Sequence, residues 1–368
     1  MSLHVYTLGV HSDLMQTDLI KKLAFSSLII TLSQFTAPAL AGSEPGQTPG
    51  TLDINFLRDS RIKHFDEARN KTRQLYSEKN WLGLEAFLSE KEKERAKSPD
   101  GDLGFSGSNT VGEIYSVLAR PAKIEDYPQQ LKQLDEWQAA VPNSVHQPAV
   151  RGLMLVDWAW KARGNGFADT ITEEGSKLFA QRLAMARAVL EKAPQKGRPL
   201  VWYLTMLKVN LGEGVAPQQA EYDKVFSEAV KNYPNQVSPY STKLYALLPR
   251  WYGESGEWEK FAAASANKIG GINGDVLYTR LIIDVMRHYG QEMKDSPPDM
   301  ARVERGMAEL QKRYPDPTPT AVLCRIYYTL GNKEKARRLF NKIGPVVPKF
   351  AFDTKSQYLD FWKELHQS

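Results

Sequence analysis

Apolar residues recur at spacings of three and four over most of the chain beyond residue 60. From Arg61 to Ser77, Ile62, Phe65, Ala68, Thr72, Leu75 and Tyr76 fall on one stripe, the spacing of an amphipathic helix. Trp81 to Ala96 repeats the pattern and ends in "SEKEKERAK", whose alternating charges read as a solvated helix face. The same pattern predicts helices at 111–119, 126–140, 148–163, 172–192, 199–211, 217–232, 238–250, 256–268, 275–290, 298–313, 319–330, 332–343 and 354–366. Strand signals are absent. Between the helices, "AAVPNS", "KAPQKGRP", "NYPNQVSP" and "RYPDPTP" each close one helix and open the next. Proline cannot continue a helix but fits its first turn. The chain therefore reads as a string of helix pairs, an all-α array.

The hairpin "YYTLGNKEKARRLFNKIG", Tyr327 to Gly344, suggests what the repeated unit is. Gly331 is the turn, and Ala336, Phe340, Ile343 and Pro348 follow at set offsets, with Leu323, Cys324 and Tyr327 on the preceding helix. Small Cys324 and Ala336 let two helices approach while Tyr327 and Phe340 fill the space beside them. This arrangement resembles a tetratricopeptide unit, a helical hairpin of about 34 residues. Two other turns share the register. Trp81 is followed by Leu84 and Leu88, and Trp258 by Phe261 and Ser265, so Trp81, Trp258 and Lys333 are equivalent. The intervening copies carry insertions, "RGNGFADT" and "LGEGVAPQQ". The expected fold is a tetratricopeptide-like α-solenoid of degenerate hairpins over residues 53–368, with 300–349 its most regular unit.

A narrower resemblance lies in the middle, over about Leu131 to Ala264. Trp160, Ala162, Arg163, Gly164 and Gly166, then Pro249, Arg250, Trp251 and Gly253, are similar to two motifs of the bacterial family called domain of unknown function 4034. The resemblance implies no activity.

The N-terminal 41 residues read as an address. Lys21 and Lys22 precede an apolar run from Leu23 to about Ala37, and Ala39-Leu40-Ala41 follows. This is the form of a secretory signal peptide cut after Ala41, with Met15 an alternative initiator. The run is interrupted by Ser33 and Gln34 and is shorter than the roughly twenty residues a membrane span needs. No membrane anchor is expected after cleavage, and the expected location is periplasmic or secreted. "GSEPGQTPGT", Gly42 to Thr51, reads as a linker covering 42–52. The sole cysteine, Cys324, leaves an exported fold to be held by packing alone.

No catalytic motif stands out. "GFSGS" lacks the last glycine of a nucleophile elbow, and "GNGFAD" carries two glycines of a dinucleotide fingerprint after a helix. Asp100-Gly101-Asp102 lacks the third acid and distal Glu of a calcium loop, because Val111 stands there. His64, His146, His288 and His366 have no partner at ligand spacing and read as surface or helix-cap residues. Neither metal nor cofactor is expected. The candidate binding residues are Trp160, Arg163, Trp202, Arg250, Trp251, Tyr252 and Trp258. Arginine beside tryptophan forms either an internal clasp, with Arg250 capping a helix and the indoles buried, or a recognition patch of hot-spot composition. The clasp is the preferred reading. From Ala301 to Lys349, eleven Lys/Arg stand against four Asp/Glu in a chain of net charge +5. Lys333, Lys335, Arg337, Arg338 and Lys342 then form either a solvated face or a docking patch for an acidic envelope component. No stacking platform for nucleic acid is present.

The functional expectation is an exported scaffold that binds an unidentified protein or peptide, without catalysis. The alternative is a hydrolase near Arg163 and Arg250 using Glu173, Glu174 or Glu254.

Overall fold

The structure is a computed structural model. It describes residues 55–57, 62–97, 105, 110–164, 171–343 and 346–366. The signal-peptide and linker readings, the Asp100–Asp102 stretch and Gly166 lie outside those residues. Sixteen α-helices follow one another: α1 (Ile62–Ser77), α2 (Trp81–Lys97), α3 (Thr110–Ala119), α4 (Tyr127–Ala140), α5 (His146–Arg163), α6 (Glu173–Lys192), α7 (Leu200–Glu213), α8 (Ala220–Asn232), α9 (Ser238–Ala246), α10 (Glu257–Ile269), α11 (Gly271–His288), α12 (Gly290–Asp295), α13 (Met300–Arg313), α14 (Thr318–Thr329), α15 (Lys333–Phe340) and α16 (Lys355–His366).

The packing order is that of a solenoid. Helix α1 packs on α3, α3 on α5, α5 on α7, α7 on α9, α9 on α11 and α11 on α14. The helices between them, α2, α4, α6, α8, α10, α13 and α15, each close a hairpin on a member of that inner row. The result is seven hairpins, α11 and α13 being separated by the short α12, with α16 packed on α15 as a cap. Stacking hairpins this way buries three apolar clusters, bridged by half-buried Trp158, Val201 and Trp160, and repeat arrays of this kind curve to leave a concave inner side.

The repeat is visible in the turns as well as in the packing. Lys79 and Gly331 both adopt a left-handed backbone, at φ 54° and 81°. The next residue, Asn80 or Asn332, accepts from the backbone N–H three positions on, at 3.0 and 3.1 Å. Such a side chain satisfies one of the free N–H groups of a helix start. Gly256 at φ 76° occupies the same place before Trp258. Counted from these residues, Leu84, Leu88, Ala336, Phe340 and Ser265 are buried, and only Phe261 is half-buried. Cys324 sits at the α14–α15 crossing, its thiol donating to the Ala336 carbonyl at 3.1 Å.

Three features depart from the sequence reading. A two-stranded ladder of three residue pairs, β1 (Asn55–Leu57) parallel to β2 (Val346–Pro348), joins the start of the array to its end. Three-residue strands carry no period-two signal, so the pattern could not announce them. Helix α9 stops at Ala246 rather than 250, ahead of Pro249. The helix expected at 275–290 starts at Gly271 and stops at His288, before α12. A second long-range tie is Phe105, which is buried with its ring edge-on to Tyr314 and Phe350 and its carbonyl accepting from Arg280 at 3.3 Å. No helix among the described residues is long and apolar enough to cross a membrane.

Candidate functional site

Along the inner row, the half-buried or exposed side chains include Trp158 and Lys161 on α5, Val201, Leu204 and Lys208 on α7, Ser241 and Tyr245 on α9, Asp284, Arg287 and His288 on α11, and Arg325 and Tyr328 on α14. The i, i+3/4 spacing of each set follows from the helix period. Two charged clusters lie along this row.

The first centres on Asp157 of α5. Its carboxylate pairs with Arg120, just past α3, at 3.3 Å and with Lys161 at 3.4 Å, and accepts the Tyr127 hydroxyl. The Tyr127 ring stacks on Trp158 at 5.3 Å, and Arg182 of α6 covers the other ring at 3.6 Å while donating to the Trp158 carbonyl at 2.8 Å. Lys208 of α7 lies in the field of Arg120 and Asp157. It is half-buried and has no hydrogen-bond acceptor among the described residues. Desolvation, then repulsion from Arg120, pulls its ammonium down to about 8, with Asp157 acting the other way. One carboxylate thus serves three cations. Arg120 also leaves its Nε without a well-aligned hydrogen bond.

The second cluster is on α11 and α14. Asp284 accepts the Ser241 hydroxyl at 2.5 Å, and burial raises its carboxyl above the usual range against Arg287 and Arg280. Arg287 lies over Phe350 at 4.1 Å, and Arg325 donates to the Ala351 carbonyl at 2.7 Å. Lys208 and Asp284 are each half-buried, and desolvation is the largest cause of the shift at both.

The two arginine–tryptophan motifs meet. Trp160 packs edge-on against Trp251 at 6.0 Å and against Phe179 at 4.9 Å. Arg163 is 6% exposed, 5.5 Å from the Trp160 ring, and desolvation lowers its pKa. Arg250 is held by Glu292 and lies 4.3 Å over Tyr289, which packs on Tyr245 beside Trp251. The clasp is therefore an aromatic stack with an ion pair. Arg250 does not cap a helix end as expected, because Glu292 on α12 offers a carboxylate within reach. Gly253 closes the tight turn after α9, where a Cβ would lie 1.8 Å from the Leu247 carbonyl oxygen. Residues 68–210 match the family model for a domain of unknown function (DUF4034). No curated protein matches the chain. The DUF4034 segment runs from α1 into α7. It takes in the Trp160–Gly164 motif and all of Arg120, Asp157, Lys161 and Lys208, and stops before Pro249.

The remaining sequence candidates scatter. Trp202 is buried, donating its indole N–H to the Leu190 carbonyl at 2.9 Å under Arg198 at 3.8 Å. Trp258 is 1% exposed in the C-terminal core, and Tyr252 donates to the Leu211 carbonyl at 2.9 Å. Of the basic patch, Lys335 pairs with Glu304 at 3.1 Å, Arg337 donates to the Leu365 carbonyl at 2.5 Å and Arg338 pairs with Glu334 at 2.5 Å. Lys333 and Lys342 are exposed, with no ion pair among the described residues. Glu173 and Glu174 open α6, and the Glu254 backbone N–H donates to Glu257 at 2.9 Å.

His146 corrects the surface reading of the histidines. It is 3% exposed, 2.6 Å from the Tyr115 hydroxyl at Nδ1 and 3.0 Å from the Ser89 hydroxyl at Nε2. Two hydroxyls from α2 and α3 satisfy both ring nitrogens, which lets a neutral imidazole be buried. Burial pushes its pKa down to about 4.

Proposed function

We propose that the chain is an exported helical-repeat scaffold that binds a protein or peptide along its inner face and acts by binding rather than by turnover. One observation carries the reading: the unbroken succession of inner helices from α1 to α14, which makes one surface of residues far apart in sequence. Arg120, Lys161, Lys208, Tyr245, Asp284 and Arg287 belong to it. Repeat stacking produces such extended concave surfaces as a consequence of curvature. Arg250 is already engaged by Glu292 and Tyr289, which favours binding over a hydrolase site at that motif. The export part of the reading rests on the signal-peptide pattern of the first 41 residues.

Photo-cross-linking tests the surface. A photoreactive residue at Leu204 or Asp284 on the inner side, or at exposed Lys224 on α8, is introduced one at a time into the purified chain, which is added to envelope extract. The expected result is one discrete adduct from the inner positions, competed away by unlabelled chain and absent at Lys224. Adducts from Lys224 alone, or none from any position, would overturn the reading.

A further inference from the structure

We infer that the Arg120–Lys161–Lys208 cluster is a recognition site for carboxylates of an acidic peptide segment, an inference that rests on the inner face being the binding surface. The charge count motivates it. Arg120 and Lys161 pair with Asp157, Lys208 lies in its field, and that carboxylate also takes the Tyr127 hydroxyl; Glu113, the other acid in the field of Arg120, is already paired with Arg69. Bases left short of counter-charge inside a groove raise the local concentration of anions.

Geometry supplies the second argument. Lys208 has no acceptor for its three N–H donors among the described residues, although it is half-buried and desolvated. A half-buried ammonium without a protein acceptor gains a charge-assisted hydrogen bond from an incoming carboxylate. Arg120 directs its Nε at Asp157 at 3.3 Å without a well-aligned hydrogen bond. Beside the cations, the buried Tyr127 ring and the half-buried Trp158 ring stack under Lys161 and Arg182, which fixes the position of α4 against α5. The groups come from α3, α4, α5, α6 and α7, so the site exists only when the hairpins are stacked. Extended peptide fits better than a small anion because the same stripe continues past Leu204 to Tyr245 and Arg287 along the row.

A carboxylate beside Lys208 restores the ordinary lysine pKa. Binding at alkaline pH therefore draws a proton from the buffer. Arg120 repels the Lys208 ammonium and Asp157 attracts it. With the ammonium starting at about 8, uptake approaches one proton per peptide near pH 9.

The test is isothermal titration of the full chain with an octaglutamate peptide near pH 9 and low salt, in two buffers of different ionisation heat. Octaglutamine and inorganic phosphate serve as comparison probes. Expected are binding of octaglutamate with proton uptake, and about tenfold weaker binding with no uptake in Lys208→Met. Asp157→Asn removes the competing carboxylate and is expected to tighten binding, an effect that a folding defect cannot imitate. Equal affinity of Lys208→Met and wild type, equal binding of octaglutamine, or phosphate binding as tight as the peptide would each overturn the inference. In those cases inner-face adducts at Leu204 or Asp284 would still stand, so the two readings fail separately.

Discussion

His146 offers the sharpest test of the packing. Its imidazole is enclosed by Ser89, Tyr115 and the α2–α3–α5 junction, and burial alone pushes its pKa from the ordinary 6.5 to about 4. In the unfolded chain the ring takes up a proton as pH falls through 6.5, whereas the folded ring resists until about 4. Stability is therefore complete above 6.5 and drains away as pH falls toward 4. At about 1.4 kcal/mol per pH unit, the full loss is about 3 kcal/mol, and about 2 kcal/mol of it falls between about pH 7.5 and about pH 5. The charged neighbours are Glu85, Glu92 and Arg95 on α2. The carboxyls of Glu85 and Glu92 are raised by desolvation, so protonating them works in the opposite direction. Comparing wild type with His146→Gln cancels these terms. The assay is urea unfolding followed by far-UV circular dichroism at the two pH values. His146→Gln is expected to be weaker at neutral pH but to lose about 2 kcal/mol less on acidification. Parallel losses in the two proteins would refute the argument that the buried neutral ring governs the acid limb.

Three further outcomes follow from the packing. Gly253→Ala places a Cβ 1.8 Å from the Leu247 carbonyl oxygen and is expected to cost about 3 kcal/mol; an unchanged melting temperature would contradict the tight turn after α9. Arg250→Ala removes the Glu292 ion pair and the Tyr289 contact and strands a mostly buried carboxylate. A loss of about 1–2 kcal/mol is expected in urea titration, only partly recovered by Arg250→Lys, which lacks the planar fork. Burial pushes the Cys324 thiol up to about 12, so iodoacetamide near neutral pH is expected to label it in urea and hardly at all in the folded chain. Equal labelling rates would show an open α14–α15 crossing.

Much of the helical array could be read from residue spacing because the information is local. The period of Phe65, Ala68, Thr72 and Leu75, the prolines that punctuate the chain, and the turns at Lys79, Gly256 and Gly331 each act within a few residues of their own position. Asn80 and Asn332 capping equivalent helices made the repeat visible at both ends. The arginine–tryptophan motifs read as internal clasps, and stacking brings Trp160 against Trp251. What they did not reveal was that Glu292, and not a helix end, would be the partner of Arg250.

The candidate site was not legible. Arg120, Asp157, Lys161 and Lys208 look like ordinary helix-surface charges in the sequence, because nothing local distinguishes a charge on the convex side from one on the floor of a groove. Their spacing follows the distance from one inner helix to the next, and degenerate insertions blur that period. His146 was misplaced for the same reason, its two hydroxyl partners lying 57 and 31 residues away. Helix positions, hairpin turns and caps were thus determined by the sequence alone, because backbone hydrogen bonding and steric preference act between near neighbours. Which charges face inward, which lack a partner and which are desolvated was decided only by stacking the hairpins, because burial and Coulomb fields depend on distance in space rather than along the chain.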